Sequence, residues 1–163
     1  MDYKLALFLT KYLKNETVAD FGCGSGSYLK ILKENNINVI GYDINPDTYE
    51  ITEGLGYTLD LTQNINIPTF DWILSLNVGE HIEIEKEDIF INNIHKHNKK
   101  GVIISWATDK HKGLNHVNCH ENKYIKDKFI QLGYINDIKD ETMLRDKCSL
   151  SWFKETLMVF KKQ

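Results

Sequence analysis

The sequence predicts an α/β fold, a mostly parallel sheet with helices on both faces. Three observations carry this. Short apolar runs alternate with amphipathic runs along the chain, the order of strands and crossover helices in a parallel sheet. Four of the apolar runs are continuous, as strands buried on both faces should be. Three glycines at alternate positions, Gly22, Gly24 and Gly26, stand between the first apolar strand and a helical run, where such folds bring bare main chain against a ligand.

Each element follows in order. The opening MDYKLALFLTKYLKN sets Leu5, Phe8, Leu9, Tyr12 and Leu13 at helical spacing, interrupted by Lys4 and Lys11, which reads as an amphipathic helix and not a signal peptide. TVADF predicts a strand over 17–21 and SYLKILKENN a helix over 27–36. NVIGYD, 38–43, is a strand, and a helix over about 46–54 follows, with Pro46 suited to its first turn. YTLDL, 57–61, is a short strand and DWILSL, 71–76, a buried one. A helix over about 85–98 carries Ile89, Phe90, Ile91, Ile94 and His97 near one side. GVIISWA, 101–107, is another buried strand. NKYIKDKFIQLGY gives a helix over about 122–132, closed by Gly133. The last strands are expected around 134–139 and at TLMVFKK, 156–162.

The 163 residues fit one domain, 1–163, with 42% hydrophobic and 26% charged residues, an ordinary globular mix. A net charge of −3 gives no electrostatic reason to expect nucleic acid as partner. No apolar run approaches the roughly 20 residues that span a bilayer, so no membrane partner is expected. Cys23, Cys119 and Cys148 are odd in number, far apart and without a CxxC, and read as reduced thiols of a cytoplasmic protein.

The glycine spacing discriminates between ligands. A dinucleotide fingerprint wants G-x-G-x-x-G; here the third glycine comes one residue early and Ser27 stands where Gly or Ala belongs. No lysine follows at P-loop spacing. The form D-x-G-x-G-x-G in VADFGCGSG, with the acidic strand end VIGYDINP, the later TLDLT, the strand-plus-loop DWILSLNVGEHI and the closing LMVFKK, resembles the class I S-adenosylmethionine-dependent methyltransferases over nearly the whole chain. That resemblance implies a Rossmann-like three-layer sandwich, with a mostly parallel seven-stranded sheet and an antiparallel last strand. It also implies S-adenosyl-L-methionine as cofactor, with S-adenosyl-L-homocysteine as product.

In the resembling family the cofactor residues fall, here, on Asp20, Gly22, Cys23, Gly24, Gly26, Tyr28, Asp43, Ile44, Asp60, Leu61 and Asn77. The chemistry agrees. The ligand carries an ammonium, a ribose diol and an adenine, and no phosphate. The glycine loop offers amides and room for the amino-acid end, and Asp20 can accept from the ammonium. Asp43 has two oxygens for the two ribose hydroxyls. Ile44 can pack on the adenine, and Asp60 with Leu61 matches the position that meets its amino group. Cys23 is a small space-filler rather than a nucleophile.

The acceptor must present a lone pair about 3 Å from the methyl group, opposite sulfur. The family lines that side with the loops after the fourth and fifth strands, here 75–85 and 105–124, which hold His81, His111, His116 and His120. Asn77, Glu80, His81 and His116 are the catalytic candidates, with histidine suited to general-base work. Loop bracing is the plain alternative for His81, Glu80 and His116, helix capping for Asn122, and core packing for Trp106. With no large insert over the acceptor side, a lid is expected from 105–124, the first helix or a second subunit. No metal is expected, although Glu80, His81, His116 and His120 contain enough ligands for one and RNA 3′-terminal 2′-O-methyltransferases have a related Glu/His centre; Asn77 stands where their first Glu would be. The reading is methyl transfer to an oxygen or nitrogen of a small polar acceptor, a sugar or phosphorylated metabolite. The alternatives are a non-catalytic S-adenosylmethionine-binding module, a metal-assisted RNA 2′-O-methyltransferase and a nicotinamide-dependent oxidoreductase.

Overall fold

The computed structural model describes every residue of the chain except Lys112. Seven strands form one sheet: β1 (Thr17–Phe21), β2 (Asn38–Asp43), β3 (Gly56–Thr58), β4 (Phe70–Leu76), β5 (Asn98–Ser105), β6 (Tyr134–Asn136) and β7 (Leu157–Lys162). Their order is β3-β2-β1-β4-β5-β7-β6. The pairs from β3 to β5 are parallel, while β7 runs antiparallel to both β5 and β6.

Alternation along each central strand sends neighbours to opposite faces. Val18, Trp72, Leu74, Ile103 and Val159 join a core with Leu5 and Leu9 of α1 (Tyr3–Tyr12), Leu29 and Leu32 of α2 (Ser27–Glu34), Leu144 and Phe153. Ala19, Ile73, Val102, Ile104, Met158 and Phe160 join another core with Phe90, Ile91 and Ile94 of α4 (Glu87–His97) and Ile125 and Phe129 of α5 (Asn122–Gln131). A sheet between two helical layers is the predicted three-layer sandwich, and burial on both faces is why its strands read as unbroken apolar runs.

The structure revises several elements. The helix expected over 46–54 is a single turn, α3 (Thr48–Ile51), which begins two residues after Pro46. β3 ends at Thr58, so Asp60 and Leu61 lie in the following turn and not in a strand. β5 starts three residues earlier than expected and stops at Ser105. The C-terminal region differs most: β6 is only three residues long, and α6 (Ile138–Lys147) and α7 (Ser151–Thr156) occupy a stretch with no predicted helix. α6 buries Glu141 and Leu144 and little else, so it shows no apolar period. It is specified instead by polar contacts: Asp137 caps it, accepting from the Asp140 N–H at 2.9 Å, and Glu141 accepts from Lys126 and Asn136.

Candidate active site

The strand order reverses direction between β1 and β4, and at that switch point a cavity of about 500 Å³ opens beyond the carboxyl ends of β1 to β4. Its polar lining includes Asp43, Asp60, Thr62, Asn77 and His81, with Glu83 and Lys86, and its apolar lining Ile44, Leu59, Leu61, Val78 and Ile82; Gly22 and Gly24 also line it. Gly22 has φ +82°, and a Cβ there would lie 2.3 Å from Val78 Cγ2. The chain can leave β1 and pass beneath the β4 loop only with hydrogen at that position.

The glycine loop spends its amides inside the protein. Gly22 and Cys23 N–H donate to the Tyr42 carbonyl, Gly26 N–H to the Cys23 carbonyl, and Gly24 N–H to Asp43 Oδ2 at 2.8 Å. Four of the loop amides are thus satisfied inside the protein, and the glycines supply space and a fixed Asp43. The other Asp43 oxygen accepts from Asn45 N–H at 3.0 Å. Each oxygen is pinned by one amide and keeps acceptor capacity for a hydroxyl. Ile44 stands 66% exposed at the cavity edge, an apolar surface with nothing yet against it.

Asp20 lies under the loop at the end of β1, 3% exposed, and its carboxyl is pushed up to about 7 by burial and then by the charge of Asp43. It does not line the cavity directly, and neither do Cys23, Gly26 and Tyr28. Cys23 Sγ fills the space above Gly41. Gly26, at φ +72°, leads into α2 against Thr52. The Tyr28 hydroxyl accepts from Asp2 N–H at 3.0 Å. Asp60 does line the cavity, but its carboxylate accepts from Thr62 N–H, Thr62 Oγ1 and Gln63 Nε2, and these bonds hold it below the usual range. That carboxylate builds its own turn first.

A second cavity, about 330 Å³, adjoins the first, and Asn77 lines both. Its other walls include His111, Gly113, His116, Trp152 and Thr156. Asn77 has φ +56°, a conformation asparagine tolerates. It is locked to β5: its N–H donates to Ser105 Oγ at 2.9 Å, and that hydroxyl donates back to Asn77 Oδ1 at 2.6 Å. Next, a 3₁₀ turn at Gly79–His81 presents Glu80 and His81. Gly79 allows it, since a Cβ there would fall 2.1 Å from the Trp106 ring. Trp106 is itself fully buried, with Nε1 donating to the Asn118 carbonyl. It backs the turn as core and does not wall the acceptor space.

The segment 113–120 folds over this turn. Val117 and Asn118 N–H donate to the Glu80 carbonyl, and Asn118 Nδ2, His120 Nε2 and the Tyr124 hydroxyl converge on Glu87. His120 is thereby drawn away to Glu87 and stacks on Tyr124 at 3.8 Å. His116, in contrast, meets His81 edge to face, 4.8 Å between ring centres. Burial and the neighbouring His81 lower the His116 pKa, and burial raises that of Glu80. Asn122 opens α5 without capping it and donates to the Glu155 carbonyl. Of the four residues the sequence pointed to, Asn77 lines both cavities, His81 the first and His116 the second, while Glu80 is buried behind the two histidines. The sequence missed Trp152 and Thr156, which reach the site from a helix with no apolar signature.

A Rossmann-like sheet with one antiparallel strand, a ligand space at the switch point and an acidic strand end facing it define the class of S-adenosylmethionine-dependent methyltransferases. The family model described as "Methyltransferase domain" matches residues 1–131, and the chain belongs to that family. It is similar to the probable tRNA methyltransferase 9B of Bos taurus, 30% identical over 86 residues, covering 50% of this chain and 18% of that protein. It also resembles the tRNA (carboxymethyluridine(34)-5-O)-methyltransferase alkbh8 of Xenopus tropicalis, 25% identical over 142 residues, 82% of this chain and 22% of that one. The chain thus spans about a fifth of the length of these curated relatives. Among solved structures, magnesium protoporphyrin IX methyltransferase from Synechocystis PCC 6803 with bound S-adenosylhomocysteine superposes with TM-score 0.73 at 18% identity, over 98% of this chain and 80% of that one. At that identity the likeness is one of fold. The fold and the family model agree that residues 1–131 carry a methyltransferase domain.

Proposed function

We propose that this methyltransferase moves the methyl group to an oxygen or nitrogen of a small polar acceptor held in the second cavity. The observation that carries this is the shared wall: Asn77 faces both the cofactor space and the smaller space beside it. Asp43 takes the ribose hydroxyls with the free acceptor capacity of its pinned oxygens. Asp20, ionised by the approach of the ligand's ammonium, holds the amino-acid end. Ile44 and Leu61 sandwich the adenine. The amino-acid end lies over Gly22 and Gly24, and the sulfonium methyl points past Asn77 toward His116. The methyl–sulfur bond breaks as the acceptor–methyl bond forms, sulfur keeps the electron pair, and the acceptor's proton leaves. The polar, histidine-bearing rim with a single indole favours a hydrophilic acceptor of modest size, a sugar or phosphorylated metabolite.

Among the described residues no helix is long and apolar enough to cross a membrane. A cytoplasmic location is part of the proposal, supported by Cys23 and Cys148, which are buried as thiols, the form a reducing compartment maintains. The tRNA activity in the names of the curated relatives belongs to much longer proteins, of which the match covers about a fifth, and the net charge of −3 gives an RNA backbone little attraction. The test is a screen for S-adenosylhomocysteine formation with sugars, phosphorylated metabolites and tRNA as separate arms. Turnover with a small metabolite is expected. Turnover with tRNA alone would overturn the acceptor assignment and leave the methyl-transfer activity standing.

A further inference from the structure

We infer that Glu80, His81 and His116 form a binding site for one divalent first-row transition-metal ion at the junction of the two cavities. Glu80 is the residue that needs a partner. It is completely buried, and among the described residues neither carboxylate oxygen has a hydrogen-bond partner. The main-chain N–H groups of Glu80 and Ala107 and the His81 ring lie close enough to offset part of its burial, without reaching hydrogen-bond geometry. Among the described residues no lysine or arginine pairs with it. Burying a carboxylate in this way is unfavourable unless a cation or a set of donors faces it. Two other buried carboxylates are satisfied: Glu87 accepts from three side chains and Asp2 from Leu5, Ser149 and Leu150.

The groups that face Glu80 are ligands. One donor atom each from Glu80, His81 and His116 lie within 4.8 Å of one another. Ligand atoms about 2.1 Å from a shared ion sit roughly 3–4 Å apart, so small side-chain rotations close the set. His81 Nδ1 lies 3.1 Å from the Asn115 carbonyl. A carbonyl only accepts, so the proton is on Nδ1 and the lone pair on Nε2. Metal-bound imidazoles are typically held by this kind of outer hydrogen bond. His116 is delivered by the same segment, through the Val117 and Asn118 amides on the Glu80 carbonyl. The site is therefore built by main-chain contacts, and no random meeting of exposed side chains is needed.

Two imidazoles and one carboxylate suit zinc, manganese, cobalt or iron(II) better than magnesium or calcium, which prefer all-oxygen sets. Three protein ligands leave open positions. His81 lines the cofactor cavity and His116 the acceptor cavity, so the open positions fall where an acceptor hydroxyl would sit. A hydroxyl placed there gives up its proton to solvent more readily, and its oxygen then takes the methyl carbon as the carbon–sulfur bond breaks. This role rests on the methyl-transfer reading, and it replaces the sequence expectation of no metal; the binding itself is independent of either.

The test uses the whole protein, stripped with chelator, titrated calorimetrically with zinc(II), manganese(II) and magnesium(II), and with cobalt(II) followed by visible absorption. One transition ion per chain is expected, with magnesium at least about tenfold weaker. His81→Ala and His116→Ala should each weaken binding at least about tenfold, as loss of a ligand must exceed the effect of losing an outer-shell partner. Glu80→Gln should do the same. Because that variant alters a buried position, the two histidine variants, both on the accessible loop side and checked by circular dichroism, decide the question. Absence of stoichiometric binding, or histidine variants that bind like the wild type, would overturn the site. S-adenosylhomocysteine titrated into the same stripped protein separates the two readings. Nucleoside binding without metal binding removes only the metal. Metal binding without nucleoside binding or methyl transfer removes the proposed reaction and leaves the site.

Discussion

Both oxygens of Asp43 accept a main-chain hydrogen bond, from Gly24 and Asn45, before any ligand arrives. Preorganisation of this kind means that the diol meets a carboxylate already oriented, with no rotamer entropy left to lose. Asp20 contributes differently. Its carboxyl, raised to about 7 by burial and by Asp43, is largely protonated at pH 5.5, whereas the ligand's ammonium pairs only with the ionised form. Binding at low pH must therefore expel a proton. S-adenosylhomocysteine should bind more than about tenfold more weakly at pH 5.5 than at pH 7.5, a window in which the ligand's α-amino group stays mostly protonated. Asp20→Asn should flatten the profile; an unchanged slope in that variant would assign the proton to another group. For the ligand-free fold the sign is opposite: a raised carboxyl pKa favours the folded state at low pH, and that contribution is lost as pH rises through 7. The sequence marked Asp20 and Asp43 because both end strands at glycine-rich or proline-containing turns. It did not reveal that the loop amides are consumed internally, since that depends on where the Tyr42 carbonyl lies in space.

At the scale of elements, one buried carboxylate joins the two ends of the chain. Asp2 caps α1 through the Leu5 N–H and accepts from Ser149 N–H and Oγ and from Leu150 N–H in the turn between α6 and α7. Burial alone would raise its pKa, but the bonds from Leu150, Leu5 and Ser149 outweigh that and hold it below its usual 3.8. Its contribution to stability is present above that value and is lost as pH falls through the depressed one. Asp2→Ala should cost about 2–4 kcal/mol in urea unfolding, from a lost cap and unpaired buried amides; a change under about 0.5 kcal/mol would show the network to be incidental. The same turn carries α7 and so places Trp152 at the acceptor cavity. Trp152→Ala should raise KM for the acceptor while leaving S-adenosylhomocysteine affinity unchanged, and the reverse pattern would move the acceptor elsewhere. This wall was illegible in the sequence. α6 and α7 are short, mostly polar, and held by contacts between residues nearly 150 positions apart, which no local period records. The opening helix and α2, α4 and α5, by contrast, bury repeating apolar residues and were read at nearly their true bounds.

At the scale of the molecule, the sheet order puts β1 and β4 side by side with their crossovers running to opposite edges, and this opens the cofactor space between their carboxyl ends. Burial of the central strands on both faces made that architecture readable from apolar runs alone. The extra antiparallel strand came from the resemblance, since its apolar run does not encode direction. The central claim is that this space binds S-adenosylmethionine through Asp43, and calorimetric titration of S-adenosylhomocysteine into wild type and Asp43→Ala tests it most directly. The account predicts one ligand per wild-type chain and a loss of about 2–3 kcal/mol in the variant, roughly 30- to 150-fold in Kd. Equal affinity in the two proteins, or no saturable binding to the wild type, would contradict it.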